Sequence, residues 1–218
     1  MLLDNTKIIK SYVVSLTVKN AARQHENNKE LCCCELKSLL LFLRHLSLQD
    51  VVKMEFELRK WNKTDAENFF KYSHNTKIAK NMRDSFPSTL DGCRKIVESF
   101  SFNDETQQCC RAIVVNGEAA GCIALFLKSD VYCKNAEIAY WLGEPFWGKG
   151  IMSEAIKQLC RTAFEHYDIV RIFAEPYAQN IGSRKALEKA GFIFEGIMKK
   201  GVYKNGNFFD YCMYALVK

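Results

Sequence analysis

The alternation of apolar and polar positions divides the chain near Met54. Residues 1–53 hold no glycine and no proline, and "NAARQHENNKE" within them is largely polar. Leu36, Leu39, Leu40, Leu43 and Leu46 recur on roughly one face of a helix over Leu31–Leu46. From Met54, "MEFELRKW" alternates apolar and polar as a strand does. We therefore expect an N-terminal extension over residues 1–53, helical or partly disordered, and a functional domain over 54–218. Met54 is itself a candidate start of translation.

Beyond Met54 the pattern is regular. A strand over 54–61 is followed by the helical stretch "TDAENFFKYS", with Thr64 as N-cap and Glu67 at capping-box spacing. A second helix is expected from Thr89 to Phe100. Strands over 109–115 and 119–128 are joined by "NGE", a hairpin signal. "AEIAYWL" reads as a strand over 136–142, and a helix follows from Gly150 to Tyr167. "IVRIFAE" (169–175) is a strand, and "GSRKALEKA" is a helix closed by Gly191. "FIFEGIMKK" and "NFFDYCMYALV" close the chain as strands around a second hairpin signal, "KNGN". The order is strand, two helices, three strands, helix, strand, helix, two strands.

Composition narrows the class. The chain has 218 residues, 48% hydrophobic and 26% charged, enough for one sizeable core. A net charge of +6 suits an anionic ligand without implying nucleic acid. Ten cysteines suggest disulfides or zinc at first sight. However, Cys32–Cys33–Cys34 and Cys109–Cys110 are consecutive, no paired C-x-x-C or H-x-x-x-H spacing accompanies them, and no cationic start with a long apolar run precedes them. Reduced thiols, no metal and a cytoplasmic protein are the expectation. The apolar run "LLLFLRHL" is far shorter than the roughly 18 residues of a membrane helix, so no membrane partner is expected.

The candidate chemistry begins at "EPFWGKGIMSEA". A strand that ends in a glycine loop opening a helix is a phosphate-binding arrangement, because the first helical N–H groups are unpaired and the helix dipole is positive there. The P-loop and G-x-G-x-x-G spacings are both absent. About thirty residues on, "QNIGSRKALEKAGF" starts another helix with Asn180 and Ser183 at its opening.

The ordered set "AEIAYWL", "PFWGKGIMSEA", "EPYAQNIGSRKALEKAGF" and "EG…YKNGNFFDYCMYAL" resembles the GNAT (Gcn5-related N-acetyltransferase) superfamily, and within it the RimJ/RimL ribosomal-protein N-acetyltransferase group. The resemblance runs from about Met54 to Lys218. It implies an α/β (α+β) fold: a mixed, mostly antiparallel sheet of about seven strands, flanked by helices and splayed between the fourth and fifth strands. It also implies acetyl-CoA as co-substrate. The family loop R/Q-x-x-G-x-G/A aligns with Trp147, Gly148, Lys149, Gly150, Ile151 and Met152, departing at Trp147 and Met152. These six residues are expected to hold the coenzyme pyrophosphate.

The implied reaction is attack of an amine on a thioester. A base or a water relay must free the amine, and a donor must meet the developing oxyanion. Backbone amides near Trp141 and Leu142 are expected to face that oxygen. Glu137 is the candidate base, with a solvated strand carboxylate as the plain alternative. Asn180 is expected to reach the coenzyme arm or to serve as a helix N-cap. Ser183 is the candidate acid for the departing thiolate, with Tyr203 and Tyr177 behind it. The helices over 64–100 offer Phe69, Phe70, Tyr72, His74, Met82 and Phe86, a mix suited to a peptide or a hydrophobic amine. The acceptor is thus expected to be a protein N-terminal α-amine or a small amine, with the enzyme a monomer or homodimer. A small-molecule (antibiotic or polyamine) acetyltransferase and a non-catalytic acyl-CoA-binding module are the alternatives.

Overall fold

A computed structural model describes residues 54–102 and 105–218. The expected Leu31–Leu46 helix, with the whole extension over 1–53, lies outside the described residues. From Met54 onward the elements run β1 (Glu57–Arg59), α1 (Ala66–Ser73), α2 (Thr76–Ala79), α3 (Leu90–Ser101), β2 (Gln108–Val115), β3 (Glu118–Leu127) and β4 (Asn135–Leu142). Then come α4 (Ile151–His166), β5 (Arg171–Ala174), α5 (Ile181–Lys189), β6 (Ile193–Lys204) and β7 (Asn207–Val217). Among the described residues no helix is long and apolar enough to cross a membrane.

The expected order of the main elements holds, and the differences sit at the N-terminal end. The short helix α2 was not anticipated; Asn75 caps it by accepting from the Lys77 N–H at 2.8 Å. The box around α1 is Asn62 with Asp65, not Thr64 with Glu67. Asp65 accepts from the Asn62 N–H at 2.8 Å and from Arg59 at 2.7 and 2.8 Å. Burial alone would raise the Asp65 carboxyl; Arg59 and the Asn62 N–H outweigh it and hold it below its ordinary value. β1 stops after three residues because the chain turns inward to bury Trp61. At both hairpins an Asn-Gly pair takes left-handed φ, 52° and 82° at Asn116–Gly117 and 51° and 78° at Asn205–Gly206. That is the twist a two-residue turn between right-twisted strands requires.

The seven strands form one sheet in the order β1-β2-β3-β4-β5-β7-β6. Every neighbouring pair is antiparallel except β4–β5. That parallel pairing lasts three residues and ends at Glu137↔Phe173. β4 continues to Leu142 along β3, while β5 ends at Ala174 and leads away into Glu175. The sheet therefore splays between its fourth and fifth strands.

Helices cover both faces, so β4 is apolar on both sides. Even-numbered Ile138 and Leu142 join the core under α4 and α5, with Ile151, Ile156, Leu159 and Leu187. Odd-numbered Trp141 joins the core under α1 and α3, with Phe69, Cys93 and Val97. Each fully buried Ile, Leu or Phe is worth about 1.5–3 kcal/mol. These two cores hold the splayed strands in place.

Candidate active site

A cleft of about 830 Å³ opens where β4 and β5 part. Its walls are the end of β4, the following loop with the start of α4, the residues after β5, the start of α5, and the segment Lys77–Arg83 around α2. A concave site at a break in a sheet is where ligands bind in folds of this kind.

The loop after β4 is braced before it reaches the helix. The Trp147 indole Nε1 donates to the Leu142 carbonyl at 2.6 Å. Glu144 is held by Asn75 Nδ2 at 2.7 Å and by the Lys77 ammonium. The chain then passes through left-handed φ at Gly148 (75°) and Gly150 (77°), where any side chain would be strained. A Cβ at either glycine would meet nothing within 4 Å, so backbone alone forms this rim.

The consequence is a row of donors. Among the described residues nothing accepts from the N–H groups of Gly148, Lys149, Gly150, Ile151, Met152 and Ser153. They gather at the positive end of the 16-residue helix α4, the setting in which backbone amides bind anions. Ile151 is buried and Met152 half-buried, and both line the cleft while packing on the core. Met152, where the family loop has a small residue, thus also fills a place in the core. The Lys149 side chain does not line the cleft. Its ammonium lies 5.6 Å from the Phe146 ring centroid.

On the edge of β4 the donors can be sorted. The Gly143 N–H donates to Ala120 of β3 at 2.8 Å. Alternation then turns the N–H of Leu142 and Tyr140 toward the splay and that of Trp141 back toward β3. Of the two amides expected to face the thioester oxygen, that of Leu142 points into the splay and that of Trp141 does not, while that of Tyr140 does. Trp141 instead packs its ring edge-on against Phe69 and Phe86, at 5.3 and 5.4 Å.

Across the cleft, α5 brings Ser183 to the same place. Its Oγ lies 2.8 Å from the Tyr140 hydroxyl, and both residues line the cleft. Burial pushes the Tyr140 phenol well above its ordinary value, so it stays a neutral donor. Asn180 caps α5: its Oδ1 accepts from the Ser183 N–H at 3.2 Å.

Residues 55–193 match the family described as the acetyltransferase (GNAT) domain. The chain belongs to the GNAT acetyltransferases. YdaF of Bacillus subtilis (strain 168) is 35% identical over 106 residues, covering 49% of this chain and 57% of YdaF. The chain thus spans little more than half of YdaF and, at 54%, of a second relative from that organism, YjcK. The solved structure of RimL, a ribosomal L7/L12 alpha-N-protein acetyltransferase in complex with coenzyme A, has a TM-score of 0.67 at 25% identity, covering 77% of this chain and 96% of RimL. MccE, a microcin C7 self immunity acetyltransferase in complex with acetyl-CoA and AMP, has a TM-score of 0.68 at 25% identity, covering 77% and 94%.

The remaining expected residues of this GNAT site are placed unevenly. Glu137 is not an exposed strand carboxylate: it is 7% exposed, in the last paired rung of β4 and β5. Lys128 Nζ meets its Oε2 at 2.7 Å and Arg83 meets its Oε1, and it does not line the cleft. Tyr203 is 66% exposed near the tip of the β6–β7 hairpin, packed on Phe208 at 4.9 Å and away from the cleft. The hairpin carries it outward because β6 runs for twelve residues. Tyr177 does line the cleft, buried and stacked on Phe209 at 5.4 Å.

Three residues that line the cleft, Tyr140, Arg83 and Glu175, escaped the sequence reading, as did Lys204, which braces one of its walls. Lys204 donates to the carbonyls of Ala79 and Met82 at 3.2 and 2.6 Å, tying the β6–β7 hairpin to the segment around α2. A lysine ending a strand gives no signal for that. Tyr140 carried one, since it stands three residues past Glu137 at the open end of the same strand.

Proposed function

We propose that this chain is an acetyl-CoA-dependent N-acetyltransferase acting on a primary amine, in the first place a protein N-terminal α-amine. The row of unpaired N–H groups from Gly148 to Ser153 at the mouth of the cleft carries the reading. Neither a core contact nor a cap accounts for six free donors at one helix start. The RimL and MccE likenesses support coenzyme A and acetyl-CoA as the ligand class, and the RimL likeness supports a protein α-amine over a small one.

In this reading the Gly148–Ser153 amides hold the pyrophosphate, and Asn180, already capping α5, lends its side-chain N–H₂ to the coenzyme arm. The coenzyme supplies an activated acetyl thioester. The Leu142 and Tyr140 amides on the free edge of β4 stabilise charge developing on its carbonyl oxygen. The Ser183 hydroxyl, held by Tyr140, donates a proton to the leaving sulfur. Glu137, expected as the base, has a cation beside each carboxylate oxygen and does not line the cleft. We assign it to holding the splay.

Two measurements test the reading. Calorimetry should show saturable acetyl-CoA binding. Thiol release should then appear with a panel of peptides bearing free N-termini and small primary amines. No acetyl-CoA binding would end the proposal. Binding without turnover on any acceptor would leave the non-catalytic acyl-CoA module instead.

A further inference from the structure

Two carboxylates stand beside the splay, and they differ in what they can reach. Glu137 and Phe173 form the last rung between β4 and β5. Glu175 lies two residues beyond Phe173, on the same side by strand alternation, where the strands have already parted. Glu175 lines the cleft and Glu137 does not. Glu175 Oε2 meets Arg83 Nη1 at 3.3 Å, and Oε1 has no partner among the described residues. Tyr177, two residues on, also lines the cleft; it is 2% exposed, and its hydroxyl has no hydrogen-bond partner among the described residues. Buried hydroxyls are nearly always satisfied, so a lone one on a residue that lines the cleft marks the place of a missing polar group.

We infer that Glu175 and Tyr177 form the subsite for the acceptor's primary amine, resting on the acetyltransferase reading above, and that Glu175 takes the amine's proton. Its free Oε1 and the Tyr177 hydroxyl accept from the incoming ammonium. One N–H bond breaks, its proton forms an O–H bond on Glu175, and the nitrogen keeps the electron pair. The proton then passes to solvent water through the open side of the cleft. Arg83 bridges Glu137 and Glu175, and Lys128 completes the balance, so these four groups sum to zero charge. The contact therefore orients the amine without a net negative field that would hold it charged. The ligand class is an unblocked primary amine.

The test uses the full chain with Glu175→Gln, Tyr177→Phe and Glu137→Gln, and two probes: n-butylammonium and a tetrapeptide with a free α-amine. Acetyl-CoA titrations come first and report only on the cradle; Glu175→Gln and Tyr177→Phe should match wild type within about twofold. Titrating the coenzyme A complex with each probe should then show Glu175→Gln weakened about tenfold or more, as loss of a hydrogen bond to a charged group implies. Its turnover number should fall about 100-fold, while Tyr177→Phe mainly raises the probe's apparent KM. Unchanged probe binding and turnover in Glu175→Gln would overturn the inference. So would the same loss in Glu137→Gln with Glu175→Gln unaffected, or a wild type that binds neither probe saturably. If wild type fails to bind acetyl-CoA yet loses amine binding on Glu175→Gln, the acetyltransferase reading falls and the amine subsite stands.

Discussion

Two strand-to-helix junctions line the same cleft, and they finish their helices in opposite ways. After β4 the chain turns through two left-handed glycines and leaves the first N–H groups of α4 unpaired. After β5 it turns through Asn180, whose side chain caps α5 by taking the Ser183 N–H. One helix start is open to an outside anion; the other is closed by its own side chain. The first junction therefore offers backbone and the second offers side chains, the Ser183 hydroxyl among them. A mutation at each should fail in a different measurement.

The largest effect is expected at the open junction. Gly150→Pro removes one N–H and forces φ from 77° to the negative range a proline ring allows. Losing or misdirecting two charge-assisted hydrogen bonds of about 1.5 kcal/mol each predicts roughly a 100-fold weaker acetyl-CoA complex. Calorimetry on protein shown to be folded by circular dichroism reads it. Retained affinity would show that the cradle does not hold the coenzyme and would erase the contrast. At the closed junction, Ser183→Ala leaves the Ser183 N–H in its cap and removes only the hydroxyl. Acetyl-CoA affinity should stay within about threefold while the turnover number drops about 100-fold, the range for one proton-transfer group. A turnover number near wild type would move the acid elsewhere in the cleft.

These two junctions also show what the sequence made legible. The glycines at 148 and 150 and the asparagine at 180 announce themselves, because left-handed backbone and capping each narrow the choice of residue. The order of elements along the chain followed from the apolar pattern, and the mixed, splayed sheet from the family resemblance. Tertiary contacts were not legible. Glu137 reads as a candidate base or a solvated strand carboxylate until Arg83 and Lys128 are brought onto it from 54 and 9 residues away in the chain. Lys149 reads as a phosphate ligand until Phe146 draws its ammonium aside. Tyr203 reads as a site phenol because nothing local reveals how far the β6–β7 hairpin projects. Glu175 looked like the end of a strand, and only the register of β4 against β5 shows that the strands have parted there. Local backbone demands are written in one residue type; partners that meet across the fold are not.

A smaller effect should separate capping from coenzyme contact. Asn180→Ala deletes the cap of α5 at a cost of about 1 kcal/mol. For a domain of this size that lowers Tm by roughly 2–4 °C. Asn180→Asp restores an acceptor for the Ser183 N–H but removes the side-chain N–H₂ donor. Recovery of Tm without recovery of acetyl-CoA affinity would give Asn180 both roles, and recovery of both would leave it a cap alone.

The smallest effect is expected at Trp147, where the family loop carries Arg or Gln. Trp147 Nε1 holds the Leu142 carbonyl at 2.6 Å, joining the loop to the strand it leaves. The side chain is half exposed, so water can take over that carbonyl once the donor is gone. Trp147→Phe should therefore cost only about 0.5–1 kcal/mol of stability by chemical denaturation, at the low end for a neutral hydrogen bond. Acetyl-CoA affinity should fall about two- to threefold, because a looser loop must be ordered when the anion binds. The same position then tests the contrast between the junctions from the other side. A loss as large as that of Gly150→Pro would mean that the open junction, too, works through a side chain, with the indole itself part of the coenzyme's contact surface.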